Sequence, residues 1–142
     1  MSARRKTEQA MKAFLESYYS GLVYTGTRGE IKEHPCVVVI ADSGEEMPLG
    51  SGNTSLDVTI SIQDEIDEAG EPNSTARFDE AVDMVQDAIR YDDFETQLSG
   101  KASDFSCLGV FSRNGPETAI DDQSGLIAEV FTMTMLVAEA NL

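Results

Sequence analysis

Leu56, Val58, Ile60 and Ile62 alternate with Asp57, Thr59, Ser61 and Gln63. A period of two with β-branched residues predicts a strand with one buried face. Upstream, CVVVIAD (Cys36 to Asp42) is a continuous apolar run after Pro35 and predicts a buried strand. The stretch between them, Ser43 to Asn53, is rich in Gly, Ser and Pro and reads as a loop. The two strands would then pair as a hairpin with a long connection.

Helical periodicity brackets this hairpin. Met11, Leu15, Tyr18 and Leu22 recur at helical spacing from about Thr7 to Leu22, with Phe14 and Tyr19 widening the stripe. They predict an N-terminal helix behind a short basic arm, residues 1–8. After the hairpin, Asn73, Ser74 or Thr75 can cap a helix whose stripe is Phe78, Val82, Val85 and Ile89. YDDFETQLSGKASD is a connection with room for a helical turn. Phe105 to Ser112 and Gly125 to Glu139 read as strands around a polar loop, RNGPETAIDDQS, whose Asn-Gly-Pro marks a turn.

The order α-β-β-α-β-β predicts one α+β domain over residues 1–142, a four-stranded, mainly antiparallel sheet with two helices packed on one face. The last strand adds a complication. Ile127, Phe131, Met133, Met135 and Val137 share one face, while Leu126, Ala128, Val130, Leu136 and Ala138 share the other. A strand apolar on both faces must be covered on both. Two helices cover one side, so another subunit is expected over the other.

Composition sharpens this picture. A chain of 142 residues can bury its apolar surface in a single core. No apolar run reaches the length of a membrane span, and MSARRKTEQAMKAF lacks the apolar stretch of a signal peptide, which predicts a protein cytosolic at synthesis. Cys36 and Cys107 lie in separate apolar runs and read as buried free thiols. The net charge of −16 is uneven: residues 1–34 hold six basic side chains against four acidic, and the rest hold four against 22. Phosphate binding needs clustered Lys and Arg, so repulsion from nucleic acid is expected rather than a grip on it.

Candidate chemistry is sparse. His34 and Cys36 form His-x-Cys, and Cys107 could add a third ligand, but zinc sites usually show paired ligands at short spacing. Asp64, Glu65, Asp67, Glu68 and Glu71 place five carboxylates in eight residues. An EF-hand loop wants acids at alternate positions and Gly at the sixth, whereas Gly70 is seventh from Asp64 and Asp67 is out of phase. Asp92-Asp93 and Asp121-Asp122 are adjacent pairs that would not face each other across a substrate. No phosphate loop, nucleophile elbow or Cys-His dyad is present in the sequence, so no cofactor, metal or catalytic residue is expected.

The N-terminal helix, the hairpin HPCVVVIAD to NTSLDVTISIQDE, the helix RFDEAVDMVQDAIR and the closing strand EVFTMTMLVAE together resemble the small tail-terminator and tail-completion proteins of tailed bacteriophages. The resemblance spans roughly Met11 to Glu139 and is one of pattern, with no fingerprint motif. It implies a non-enzymatic virion protein, present in the host cytoplasm before assembly, that forms a ring, typically a hexamer, on the tail tube. Such a ring stops tube growth and meets the head-completion proteins while genomic DNA passes through without specific binding. A neck or head-closure connector is the nearest alternative, and a soluble acidic DNA mimic is the alternative of another class.

Within this reading, Arg4, Arg5 and Lys6 are expected to meet an acidic surface of a neighbouring subunit or partner. Met47 and Leu49 would be apolar contacts of a loop that orders on the adjacent ring. Met133 and Met135 are candidates for an adaptable interface. Asp64, Glu65, Asp67 and Glu68 would repel DNA from the passage.

Overall fold

The computed structural model describes residues 2–26, 33–46, 50–90 and 92–138. Its elements are α1 (Ala3–Glu16), β1 (Leu22–Thr25), β2 (Cys36–Ala41), β3 (Glu45–Glu46), β4 (Asn53–Glu65), α2 (Thr75–Arg90), α3 (Phe94–Ser99), β5 (Ser106–Asp121) and β6 (Leu126–Ala138). The fold is α+β, with three helices and a mixed six-stranded sheet among the described residues. The sheet runs β1-β2-β4-β6-β5, with β3 also paired to β4. Among the described strands only β1 and β2 pair in parallel.

The expected sheet of four strands and two helices is thus short by β1, β3 and α3, each for a local reason. The apolar spacing that predicts a helix to Leu22 outlasts the helix itself. Helix α1 ends at Glu16, ahead of Ser17, two tyrosines, Ser20 and Gly21. Tyr18 packs on Phe14 from the following turn at 5.1 Å, and Leu22 opens β1. At the other end, the expected basic arm is the first turn of α1, because Ser2 caps it: its hydroxyl accepts from Arg5 N–H at 3.3 Å.

Strand β3 lies inside the expected loop Ser43 to Asn53. Gly44 turns the chain there at φ +71, and a Cβ at this position would come within 2.5 Å of Thr54 and 2.8 Å of the Ser55 carbonyl. Strands β2 and β3 therefore run along the same edge of β4 with a break between them. Helix α3 fills the connection after α2, burying Phe94 and Leu98. Its Phe94 ring meets Phe14 edge-on at 5.0 Å.

The β5–β6 hairpin is also longer than expected. Asn114-Gly115-Pro116 does not turn the chain; it forms an irregularity within β5, between the pairs Asn114↔Thr132 and Glu117↔Val130. An edge strand tolerates proline at such a point because the missing N–H has no ladder partner to lose. The chain reverses instead after Asp121, whose carbonyl accepts from Gly125 N–H at 2.9 Å.

One face of the sheet carries the core. Helix α1 lies over β1 and β2, α2 over β4, and α3 against β5. Beneath them Val37, Val39, Val58, Ile60, Ile62, Phe131, Met133 and Met135 are fully or almost fully buried. Complete burial of one such side chain contributes roughly 1.5–3 kcal/mol. Glu8 is buried in α1, and its carboxylate accepts from Ala41 N–H at 2.9 Å, fixing the helix over the end of β2. No helix among the described residues is long and apolar enough to cross a membrane.

Candidate functional site

No helix packs on the second face of the sheet among the described residues. In β4 this face presents Ser55, Asp57, Thr59, Ser61 and Gln63, opposite Leu136, Thr134, Thr132, Val130 and Ala128 of β6. The β6 residues are half-buried, and on the β2 side of the same face Cys36, Val38 and Ser61 are buried, so the open part of the face lies over β4, β6 and β5. Strand β5 borders the face with two bulges, between Cys107 and Gly109 and between Val110 and Ser112. The extra residues at these bulges are Leu108 and Phe111, 52% and 67% exposed. A bulge re-aims side chains that regular alternation would have shared between the two faces. Beside the third irregularity, Pro116, Glu117, Val130 and Thr132 line a depression of about 340 Å³.

Leu108 and Phe111 escaped the sequence reading because SCLGVFS looks like an uninterrupted strand. The available signal was the phase. Cys107 and Val110, both turned towards the core by their pairing with Val137 and Met135, are separated by two residues rather than one. Strict alternation cannot accommodate that spacing.

The described basic side chains lie on the helix-covered side of the sheet, where α2 and α3 also carry acids (Asp79, Glu80, Asp83, Asp87 and Glu95), whereas the other face is acidic alone. By register, Glu45, Asp57, Glu65, Glu117 and Asp121 belong to the uncovered face. The described basic residues lie in α1 (Arg4, Arg5, Lys6, Lys12), in α2 (Arg77, Arg90) and just after α3 (Lys101), with Arg113 of β5 stacked 5.6 Å from the Phe94 ring centroid. Arg113 also pairs with Glu95 of α3 at 3.7 Å.

The first turn of α1 is unusual in carrying Arg4, Arg5 and Lys6 and no acid. Cations at the positive end of a helix dipole cost about 0.3–1 kcal/mol each when exposed. Arg4 lies 3.9 Å from Glu8, and Lys6 Nζ donates to the Asp104 carbonyl at 3.4 Å. Arg5 is exposed, one turn before Gln9 and two before Lys12 on the outer side of the helix.

The structure divides the acidic block of the sequence. Asp64 does not face a passage: it is in phase with Ile60 and Ile62, only 1% exposed, and directed to the helix-covered side. Its carboxylate accepts from Ser74 N–H at 2.7 Å and Glu65 N–H at 2.9 Å, securing the chain where α2 begins. Asp67 shapes the loop, one oxygen accepting from Ala69 and Glu71 N–H, each at 2.9 Å. Glu65 and Glu68 remain exposed. The loop is tied to the β5–β6 turn by Ile66 N–H donating to the Gly125 carbonyl at 2.9 Å, which brings the exposed Asp121 and Asp122 to the same end of the sheet. Hydrogen bonds from Ser124, side chain then backbone, and from Gln123 N–H hold the Asp121 carboxyl below the usual range.

Met133 and Met135 are fully buried beneath the helices, so they belong to the core of the subunit and not to an interface. Met47 and Leu49 lie outside the described residues. Cys36 and Cys107 are both buried and free, as expected. Burial pushes the Cys107 thiol up to about 11. The ring nitrogen Nδ1 of His34 stands 3.6 Å from Glu65 Oε1. Among the described residues, no group of three or more His, Cys, Asp or Glu side chains could hold a metal ion.

Neither a protein-family model nor a curated protein matches the chain.

Proposed function

We propose that this protein is a structural subunit of a tailed-phage virion. Copies form a ring, six-fold by the resemblance, that caps the tail tube, ends its growth and joins the tail to the head-completion proteins with genomic DNA passing through. The observation that carries the proposal is the uncovered sheet face. Leu136, Val130 and Ala128 of β6, with Thr134 and Thr132 among them and exposed Leu108 and Phe111 of β5 at the border, form a partly apolar surface that a neighbouring subunit would cover. The same surface repeated around a closed ring leaves no apolar face open to water. The tail assignment itself comes from the resemblance in element pattern. A neck or head-closure ring would use the same surface and would differ only in the protein that it touches.

The test is electron microscopy of the purified protein, alone and mixed with tail tube protein, with tube lengths measured in both cases. Rings seated at tube ends and tubes that stop lengthening are expected. Particles that stay monomeric with and without tubes, while tubes grow unchecked, would overturn the proposal and favour the acidic DNA mimic.

A further inference from the structure

We propose that the subunits associate head to tail, with the outer basic side of α1 on one copy, Arg5 and Lys12, seated on the acid-rimmed, uncovered sheet face of a second copy. The inference deepens the ring reading by naming the two surfaces that meet, and it rests on that reading only for the closure of the assembly. Two different surfaces in contact make a heterologous interface, the kind that generates rings when the rotation closes.

Charge complementarity selects the partner. The uncovered face carries carboxylates, Glu45, Asp57 and Glu117 among them, and no described basic residue falls on it by register. The described cations belong to the helices, to the turn after α3 or to the edge of α3. Two like faces would therefore repel. Helix α1, with four basic residues against Glu8 and Glu16, is the one described element of net positive charge, since α2 sets Asp79, Glu80, Asp83 and Asp87 against Arg77 and Arg90 and α3 carries Glu95. It is therefore the element that the face attracts. In a chain of net charge −16 like-charged surfaces oppose association, so a contact that joins a basic to an acidic surface is favoured. Arg5 and Lys12 are seven residues apart and so project from the same side of α1, with Gln9 between them and Glu16 one turn beyond.

The competing route, strand pairing at the sheet edge, is blocked along β5 by three register irregularities and by Pro116. The other edge strand, β1, offers four residues, which leaves the face as the larger surface to be covered. Val130 and Leu136 supply apolar contact along its centre, and Glu117 stands at the rim of the depression lined by Val130 and Thr132.

Charge reversal tests the pairing. Sedimentation velocity at low salt compares the unaltered chain with Arg5→Glu/Lys12→Glu, with Glu45→Lys/Glu117→Lys, and with the chain carrying all four changes. Each pair alone should weaken association by at least about tenfold, since two attractive contacts become repulsive. The four together, which restore opposite charges with the signs exchanged, should return association to near its original strength. High salt should shrink these differences. An acid at position 5 suits the helix dipole, so the thermal midpoint of Arg5→Glu/Lys12→Glu should not fall, which separates lost association from lost folding.

The proposal is overturned if the four-fold variant stays dissociated, or if either pair alone leaves association unchanged. It is equally overturned if Glu65→Lys/Glu68→Lys rescues in place of Glu45→Lys/Glu117→Lys, which would move the contact to the acidic end of the sheet. A chain that is monomeric at every concentration yet still stops tube growth would sink this interface and spare the tail reading. Head-to-tail rings that leave tube length unlimited would do the reverse.

Discussion

Asp64 occupies a position where the alternation Leu56, Val58, Ile60, Ile62 calls for another apolar side chain. A carboxylate survives there because two backbone N–H groups, those of Glu65 and Ser74, donate to it. Asp64→Ala leaves both donors without that acceptor in a buried site, so it should destabilise the fold by about 1–3 kcal/mol. A fall in the urea midpoint at constant slope would show it, while Glu68→Ala in the exposed loop should change stability by less than about 0.5 kcal/mol. The sequence displayed five acids in a row of apparent equals; only a fold can say that one of them lies inside. The signal was faint but present, since Asp64 continues the apolar phase and Glu65 does not. Cys107 carries a second residue-level expectation. Its folded-state value is raised from 9.0 to about 11, chiefly by burial, so the thiol's contribution is fully present below pH 9 and is lost as the pH rises toward 11. Cys107→Ala should therefore lose less stability than the unaltered chain between pH 8 and 10.5, measured by urea unfolding at each pH.

At the scale of elements, the strongly periodic segments were legible and the short ones were not. Phe78, Val85 and Ile89 are buried along α2 as their spacing requires, and β2, β4 and β6 pair as a continuous antiparallel set. Strand β1 was hidden because Leu22 fits the helical stripe as well as it fits LVYT, and a four-residue strand acquires its pairing only from β2 alongside it. Strand β5 was cut short because Asn-Gly-Pro is strong turn chemistry, overridden here by thirteen residues of β6 that hold the opposite strand. Strand β3 depends on a single residue. Gly44 at φ +71 has the Thr54 side chain and the Ser55 carbonyl where a Cβ would go. Gly44→Ala should cost more than about 1 kcal/mol, because the conformation is strained for alanine and the space is occupied. Amide exchange offers the check: the Glu45–Glu46 pairing with Thr54 and Ser55 should lose protection while the β4–β6 ladder keeps it.

For the whole molecule, the distribution of charge matters more than its total. The strands run so that α1 begins near the Ala41 end of β2, while the acidic loop and the β5–β6 turn share the opposite end. The protein is therefore polar along its strands as well as across its sheet. Glu65, Glu68, Asp121 and Asp122 converge at the acidic end although 50 or more residues separate the two pairs in sequence, a juxtaposition that no local reading of the chain could give. If that end lines the passage of the proposed ring, six copies would set about two dozen carboxylates around the DNA, a field that repels phosphate over a Debye length of roughly 8 Å. Asp64 and Asp67 are committed to the fold, and Glu65 and Asp121 belong by register to the sheet face, so the informative change is Glu68→Lys with Asp122→Lys, which moves a six-fold ring by about +24 and leaves the buried acceptors and the sheet face intact. Rings of this variant should still assemble and cap tubes, should acquire DNA affinity that falls steeply with salt, and should slow genome ejection. Ejection at the ordinary rate through rings shown to carry both lysines would place the acidic end away from the DNA and leave these carboxylates as a solvated pole of the subunit.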